Sequence, residues 1–84
     1  MSWSITLPAS LPQPGEELCI TITGGTGTPP SVTLTFDGEP MTVVPKVKDL
    51  GGGTYVACFV LPTQYETGRI SVSGGKNGVA TAGI

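Results

Sequence analysis

The stretch GTYVACFVLP, residues 53–62, decides the fold class of this chain. Its side chains alternate in character, which is the pattern of a β-strand with one buried face. A run of glycines precedes the strand and a proline ends it, so both of its boundaries are well defined. The face that we expect to be buried consists of Tyr55, Ala57, Phe59 and Leu61.

The rest of the chain repeats this pattern at short intervals. Further alternating segments cover residues 3–7, 17–23, 32–36, 41–47, 69–73 and 79–84. Turn residues separate them, and Asp37-Gly38 and Asn77-Gly78 are typical of tight hairpins. Pro45 interrupts the segment 41–47 and indicates an edge strand. The sequence therefore predicts a single all-β domain over residues 1–84, a small antiparallel two-sheet sandwich of six or seven strands.

The order of features between Pro14 and Ser73 resembles the immunoglobulin-like domains of bacterial surface proteins and phage virions. Pro14-Gly15 precedes an apolar strand, a Thr-rich strand follows, and a Gly-x-Tyr entry opens the strand at Tyr55. That entry resembles the penultimate strand of such domains. The resemblance implies an immunoglobulin-like sandwich that acts as a scaffold or binding module. The chain departs from antibody-type domains because its only tryptophan is Trp3, close to the start of the sequence.

Both cysteines are predicted to be free thiols. Cys19 and Cys58 alternate with the apolar positions of their strands, so both point outward. In the topology that the resemblance implies, these strands belong to different sheets, which pack about 10 Å apart. A disulfide needs Cα atoms within about 7 Å, so only a register shift of one residue would permit an inter-sheet bridge. Free thiols are typical of a reducing compartment.

Composition argues against several classes of function. Charged residues make up 12% of the chain and the net charge is −2, with only four basic residues, which are too few to neutralise a phosphate backbone. No apolar run approaches the ~20 residues of a membrane span. Without histidine a Ser-His-Asp triad is not possible within one chain, and two isolated cysteines do not make a zinc site. We expect a protein that is not an enzyme and that binds no cofactor and no metal.

Acidic and glycine-rich segments have simpler interpretations than ligand binding. Glu16-Glu17 and Asp37-Gly38-Glu39 offer carboxylates for a calcium site between domains, yet they lack the spaced ligands of a calcium loop. Polar turns are the favoured interpretation. The glycines of 24–27 and 51–53 lack a phosphate-loop pattern and are interpreted as turn residues.

Four residues are candidate contacts with a partner: Trp3, Lys76, Asn77 and Ile84. Trp3 is either an exposed anchor or a side chain that closes one end of the core. The segment 79–84 either adds a strand to a neighbour or frays. Residues 1–7 and 74–84 are accordingly expected to be edge strands or arms.

The favoured hypothesis is a phage virion component that decorates a capsid or associates with a tail. The alternative is a spacer repeat from a bacterial adhesin at the cell surface, and a carbohydrate-binding module is less favoured. Continuation of the chain past Ser73 into a hairpin and tail favours the virion hypothesis over the spacer. The N-terminus lacks the features of a signal peptide, in keeping with virion assembly in the host cytoplasm. Expected partners are capsid or tail subunits, further copies of the chain, or a cell-surface glycan.

Overall fold

The computed structural model describes residues 2–37, 39–65 and 67–84, with the backbone alone for residues 39–43. The described residues form eight β-strands and no helix. No helix among them is therefore long and apolar enough to cross a membrane. The strands are β1 (Ser4–Thr6), β2 (Glu17–Thr23), β3 (Ser31–Phe36), β4 (Glu39–Val43), β5 (Lys46–Gly51), β6 (Thr54–Val60), β7 (Gly68–Ser73) and β8 (Val79–Gly83).

The strands form two four-stranded antiparallel sheets, which confirms the predicted all-β sandwich. Sheet 1 has the order β1-β2-β6-β5, and sheet 2 has the order β4-β3-β7-β8. Immunoglobulin-like sandwiches place strands A, B, E and D in one sheet and strands C, F and G in the other. The chain follows this order, with β4 as an additional strand beside the third strand.

The segment 41–47, expected to be a single returning strand, is divided between the two sheets. Its first part belongs to β4 and its second part to β5, which are edge strands of sheet 2 and sheet 1 respectively. The chain crosses between the sheets at Val44-Pro45. Pro45 has no N–H to donate to a ladder, so a break in pairing at this position leaves no donor unsatisfied. The prediction that this segment lies at an edge is therefore confirmed for both strands.

The core lies between the sheets and is formed by the alternating positions. Apolar side chains from β2, β3, β6 and β7 are almost completely buried, and each valine, leucine, isoleucine or phenylalanine among them contributes roughly 1.5–3 kcal/mol by leaving water. The predicted inward faces of all four strands are confirmed. The buried hydrophobic residues are Trp3, Leu18, Ile20, Ile22, Val32, Leu34, Phe36, Tyr55, Ala57, Phe59, Leu61, Ile70 and Val72.

The position assigned to the Tyr55 strand was wrong. This strand is β6, and two more strands, β7 and β8, follow it, so it is not the penultimate one. It pairs with β2 in sheet 1, with Leu18 opposite Phe59 and Ile22 opposite Tyr55. The strand that starts at Gly68 holds the penultimate place. The Gly-x-Tyr entry did not identify the position of this strand in the sheet. An alternating pattern specifies which face of a strand is buried but not which other strand pairs with it.

The start of β6 depends on a close approach of two glycines. Gly53 has φ +83°, and a Cβ there would lie 2.7 Å from the carbonyl oxygen of Gly25. The Gly25 N–H in turn donates to the Gly53 carbonyl at 3.0 Å. The two backbones therefore pack too closely for a side chain at residue 53.

We expect Gly53→Ala to lower the free energy of unfolding by about 3 kcal/mol, of which about 1–2 kcal/mol comes from the left-handed backbone. Gly52→Ala is the matched control, because Gly52 has φ +64° with open space around it. The control should show the conformational part alone. Urea denaturation of both variants measures the difference, and equal losses would contradict a steric role for the close approach.

Candidate functional site

Cys19 and Cys58 form a disulfide on the outer face of sheet 1, so the prediction of two free thiols was wrong. Both side chains do point away from the core, as predicted, and Cys19 is exposed. Their strands are neighbours in one sheet rather than members of opposite sheets, and the two residues are directly opposite in register. The Cα atoms lie 4.0 Å apart, the closer kind of antiparallel pair, where side chains meet most readily.

Charged side chains lie on both sides of this disulfide. An Oε1 atom of Glu17 lies 3.8 Å from Sγ of Cys19, a contact without a hydrogen bond because a bridged sulfur carries no proton. Lys46 is the cross-strand partner of Cys58 on β5. Glu17 and the two sulfurs have the spacing of a metal-ligand group, but metal binding requires thiolates and the sulfurs are bonded to each other. The arrangement provides a covalent clamp across β2 and β6 that solvent can reach.

Trp3 lies in the core and not on the surface. Only 5% of it is exposed, and its ring meets that of Tyr55 edge-on with centroids 6.2 Å apart. Its Nε1–H donates to the carbonyl of Gly74 at 3.1 Å, which satisfies the one polar atom of the side chain. Of the two interpretations of Trp3, this geometry is that of a residue closing one end of the core, and it leaves no exposed ring for a partner.

The β7–β8 turn lies at the same end of the sandwich as Trp3 and contains two more candidates. Lys76 is exposed, whereas only 8% of Asn77 is exposed. The Nδ2 group of Asn77 donates to the carbonyl of Gly24 in the loop after β2. Asn77 therefore connects the turn of sheet 2 to a loop of sheet 1, and of the two residues only Lys76 presents its side chain to solvent.

Asn77→Ala is expected to lower the free energy of unfolding by about 1–3 kcal/mol, because the Gly24 carbonyl loses its donor in a partly buried position. Lys76→Ala is the adjacent control and should stay within about 0.5 kcal/mol of the parent chain. Thermal or urea denaturation of the two variants provides the comparison. A loss of less than about 0.5 kcal/mol for Asn77→Ala would show that this hydrogen bond contributes nothing to stability.

The segment after the turn is an integral strand and not a free arm. Residues 79–83 form β8, which pairs with β7 along its whole length. Ile84 continues the pairing, since it exchanges two backbone hydrogen bonds with Gly68 at 2.9 and 3.0 Å. Its side chain is half-buried and packs against the core. The continuation past Ser73 therefore completes the sandwich and gives no reason to prefer a virion component over a spacer.

A cleft of about 540 Å³ lies at the end of sheet 2 that is distant from Trp3. Its residues are Thr35, Asp37, Thr67, Gly68, Arg69, Gly83 and Ile84. The Thr67 hydroxyl donates to the Asp37 carboxylate at 2.6 Å, and the Asp37 N–H donates to the Thr67 carbonyl at 2.8 Å. These two bonds tie the turn after β3 to the segment before β7. The described lining offers polar hydrogen-bonding groups with one carboxylate and one guanidinium.

The structure does not assemble the four predicted contact residues into one site. Trp3 and Asn77 lie at one end of the sandwich, and Ile84 lies at the other, because Gly74 and Gly68 are at opposite ends of β7. The cleft pair Asp37–Thr67 was missed by sequence reasoning, since thirty residues separate its members and no local pattern links them.

The structure describes only part of the two acidic segments that were considered as calcium-site alternatives. Glu16 and Glu17 are both exposed. The Glu16 N–H donates to the Gln13 carbonyl at 3.0 Å, and the Glu16 carbonyl accepts from the Leu61 N–H at 2.9 Å. Gly38 and the Glu39 side chain lie outside the described residues, so the Asp37-Gly38 turn and the Asp37-Gly38-Glu39 calcium alternative remain predictions.

Comparisons of the chain with protein-family models, with curated proteins and with solved structures found no match. The classification of the chain as a two-sheet all-β sandwich therefore rests on its strand order and its alternating core.

Proposed function

We propose that this chain is a non-enzymatic structural and binding module, attached to a phage particle as a capsid or tail component that is exposed outside the reducing cytoplasm. The observation that carries the proposal is the Cys19–Cys58 disulfide on an outer face. Disulfides persist in oxidising surroundings such as virion and cell surfaces, so the bridge supports surface exposure both for the virion component and for the spacer alternative. Because Cys19 and Cys58 are bridged, the chain has no free thiol among its described residues to indicate a reducing compartment.

The surface of the domain supports a scaffold role. The outward positions of β3, β7 and β8 in sheet 2 are mostly serine and threonine, with a single charged residue, Arg69. A net charge of −2 produces little repulsion against a repeating protein surface or another copy of the chain. Short hydroxyl side chains lose little rotamer entropy on contact, so such a face suits docking against a flat protein surface.

The spacer alternative is favoured by one specific observation. Trp3 and Ile84 lie at opposite ends of the sandwich, which measures 35 × 21 × 19 Å. The chain enters the domain at one end and leaves it at the other. Such domains can follow one another in a row without a sharp reversal of the chain between them. This geometry suits a module in a linear array on a bacterial surface.

A sugar-binding role has less support from the side chains. Four of the five aromatic residues belong to the buried core: Trp3, Phe36, Tyr55 and Phe59. The fifth, Tyr65, is half-buried and packs edge-on against Phe36 with centroids 5.1 Å apart. The four buried rings offer no face on which a sugar could stack, and a single half-buried tyrosine is not a stacking platform.

Cosedimentation tests the proposal. The oxidised chain is labelled and mixed with tailed-phage particles and, separately, with bacterial cells, and bound protein is measured over a concentration series with unlabelled chain as competitor. We expect saturable, competed binding to particles at a fixed number of copies per particle. Saturable binding to cells alone would favour the surface-spacer alternative. Binding to neither, by a chain whose fold is verified by circular dichroism, would contradict the attachment role.

A further inference from the structure

The four edge strands of the sandwich differ in how they are protected from pairing with another chain. β1 is only three residues long, and β5 carries Lys46, Lys48 and Asp49. β4 includes Pro40, which lacks an N–H, and its ladder with β3 is interrupted by an irregularity. Short length, charge, proline and bulges are the usual devices that block edge-to-edge association.

β8 carries none of these devices. Its sequence is VATAG, without charge or proline, and its pairing with β7 is regular from Val79 to Gly83. Val79 is 68% exposed, one of the most exposed large apolar side chains among the described residues. Within the described part of the chain, no second strand is hydrogen-bonded to β8, although β1 of the other sheet lies close beside it. A regular, uncharged edge of this kind is a template for strand addition.

The ladder determines which backbone groups of β8 are free. Ile84 and Gly68 exchange both of their hydrogen bonds, so they are a hydrogen-bonded pair. Hydrogen-bonded and non-hydrogen-bonded pairs alternate in an antiparallel ladder. Ala82 and Ala80 are therefore bonded to β7, whereas the N–H and C=O groups of Val79, Thr81 and Gly83 point away from β7, toward the outer edge of sheet 2.

We propose that β8 is the interface by which two copies of this chain pair, in antiparallel register about a two-fold axis at Thr81. In this register Thr81 of one copy faces Thr81 of the other, and Val79 faces Gly83 of the second copy. The outward groups of these three residues then satisfy one another across the axis. The exposed Val79 side chain does not clash with the second copy, because it lies opposite Gly83, which has no side chain. The two threonines form a favourable cross-strand pair.

Charge and area define the expected strength of the pairing. Arg69 on β7 lies beside Gly83 and therefore approaches Val79 of the second copy and not another charge. An edge of five residues buries less than the ~1,200 Å² of a standard stable interface. We therefore expect a dissociation constant of about 10 μM to 1 mM, a reversible contact that becomes effective where copies are concentrated on a surface.

Sedimentation velocity over a concentration series up to about 1 mM tests this proposal on the oxidised chain. The parent chain should shift reversibly from monomer to dimer, and the amide protons of Val79, Thr81 and Gly83 should exchange more slowly at high concentration. Thr81→Lys places two like charges opposite each other at the axis and should weaken association at least about tenfold. Thr81→Pro removes the central outward N–H and should do the same.

Ser31→Lys is the matched control, because Ser31 is exposed on the same outer face but lies on β3, two strands away from the edge. It should dimerise like the parent chain. A parent chain that stays monomeric up to about 1 mM would overturn the proposal. The proposal would also be overturned if neither Thr81 variant weakened the association. It would equally be overturned if the amide protons of Val79, Thr81 and Gly83 exchanged at the monomer rate in the associated state. The outcome is independent of binding to phage particles, so it does not stand or fall with the proposed function.

Discussion

Reduction of the Cys19–Cys58 disulfide is expected to lower the free energy of unfolding by about 4 kcal/mol. The bridge joins residues 39 positions apart, and closing a loop of this length removes roughly that much conformational free energy from the unfolded chain. A domain of this size has a total stability of roughly 4–13 kcal/mol. The reduced chain should therefore melt about 15–30 °C lower than the oxidised chain, and it approaches the limit of stable folding.

The matched control for reduction is the double variant Cys19→Ala/Cys58→Ala. It should melt at the temperature of the reduced parent chain and should not respond to a phosphine reductant. Differential scanning calorimetry with and without reductant measures both chains, with alkylation and mass spectrometry to verify thiol content. If the reduced parent, with two alkylated cysteines, melts within about 2 °C of the oxidised chain, the stabilising role of the bridge is wrong.

Trp3→Ala is expected to lower the free energy of unfolding by about 3–5 kcal/mol. The substitution leaves a cavity beneath Tyr55 and deprives the Gly74 carbonyl of its donor. The loss is large for a residue before the first strand because Trp3 closes one end of the core. Urea denaturation followed by circular dichroism is the suitable measurement, since the variant lacks the fluorescent side chain.

Trp3→Phe separates packing from hydrogen bonding. It keeps an aromatic ring near Tyr55 but has no N–H for Gly74, so we expect an intermediate loss of about 1–3 kcal/mol. If Trp3→Ala does not fold, Trp3→Phe still measures how much the hydrogen bond to Gly74 contributes to stability. Stability within about 0.5 kcal/mol of the parent for both variants would contradict the core position and would return Trp3 to the role of an exposed anchor.

The two proposals describe different faces of one molecule. The disulfide clamps the two central strands of sheet 1, β2 and β6, on their outer side. β8 forms the free edge of sheet 2. Attachment to a particle and pairing through β8 are compatible, because a weak edge contact gains strength when copies are held close together on a surface.

Local sequence determined which side of each strand is buried. In β2, β3, β6 and β7 the period of two in side-chain character predicted the inward residues, and the outward direction of Cys19 and Cys58 followed from the same period. The β7–β8 turn over residues 74–78 was equally local, because glycine and asparagine mark it in the sequence, although its hydrogen-bonded turn is centred on Gly75-Lys76 and not on Asn77-Gly78. These features depend on the alternation of apolar side chains and on turn residues within a few positions, so they can be predicted from a single sequence.

Tertiary structure alone decided which strands are neighbours. β2 and β6 are far apart in the chain, and their pairing in sheet 1 converted two outward thiols into a disulfide. The same limit applies to the Asp37–Thr67 clamp and to the contact of Trp3 with Gly74, which joins residues 71 positions apart. Alternation specifies a face but not a partner, because contacts between distant segments depend on how the whole core packs.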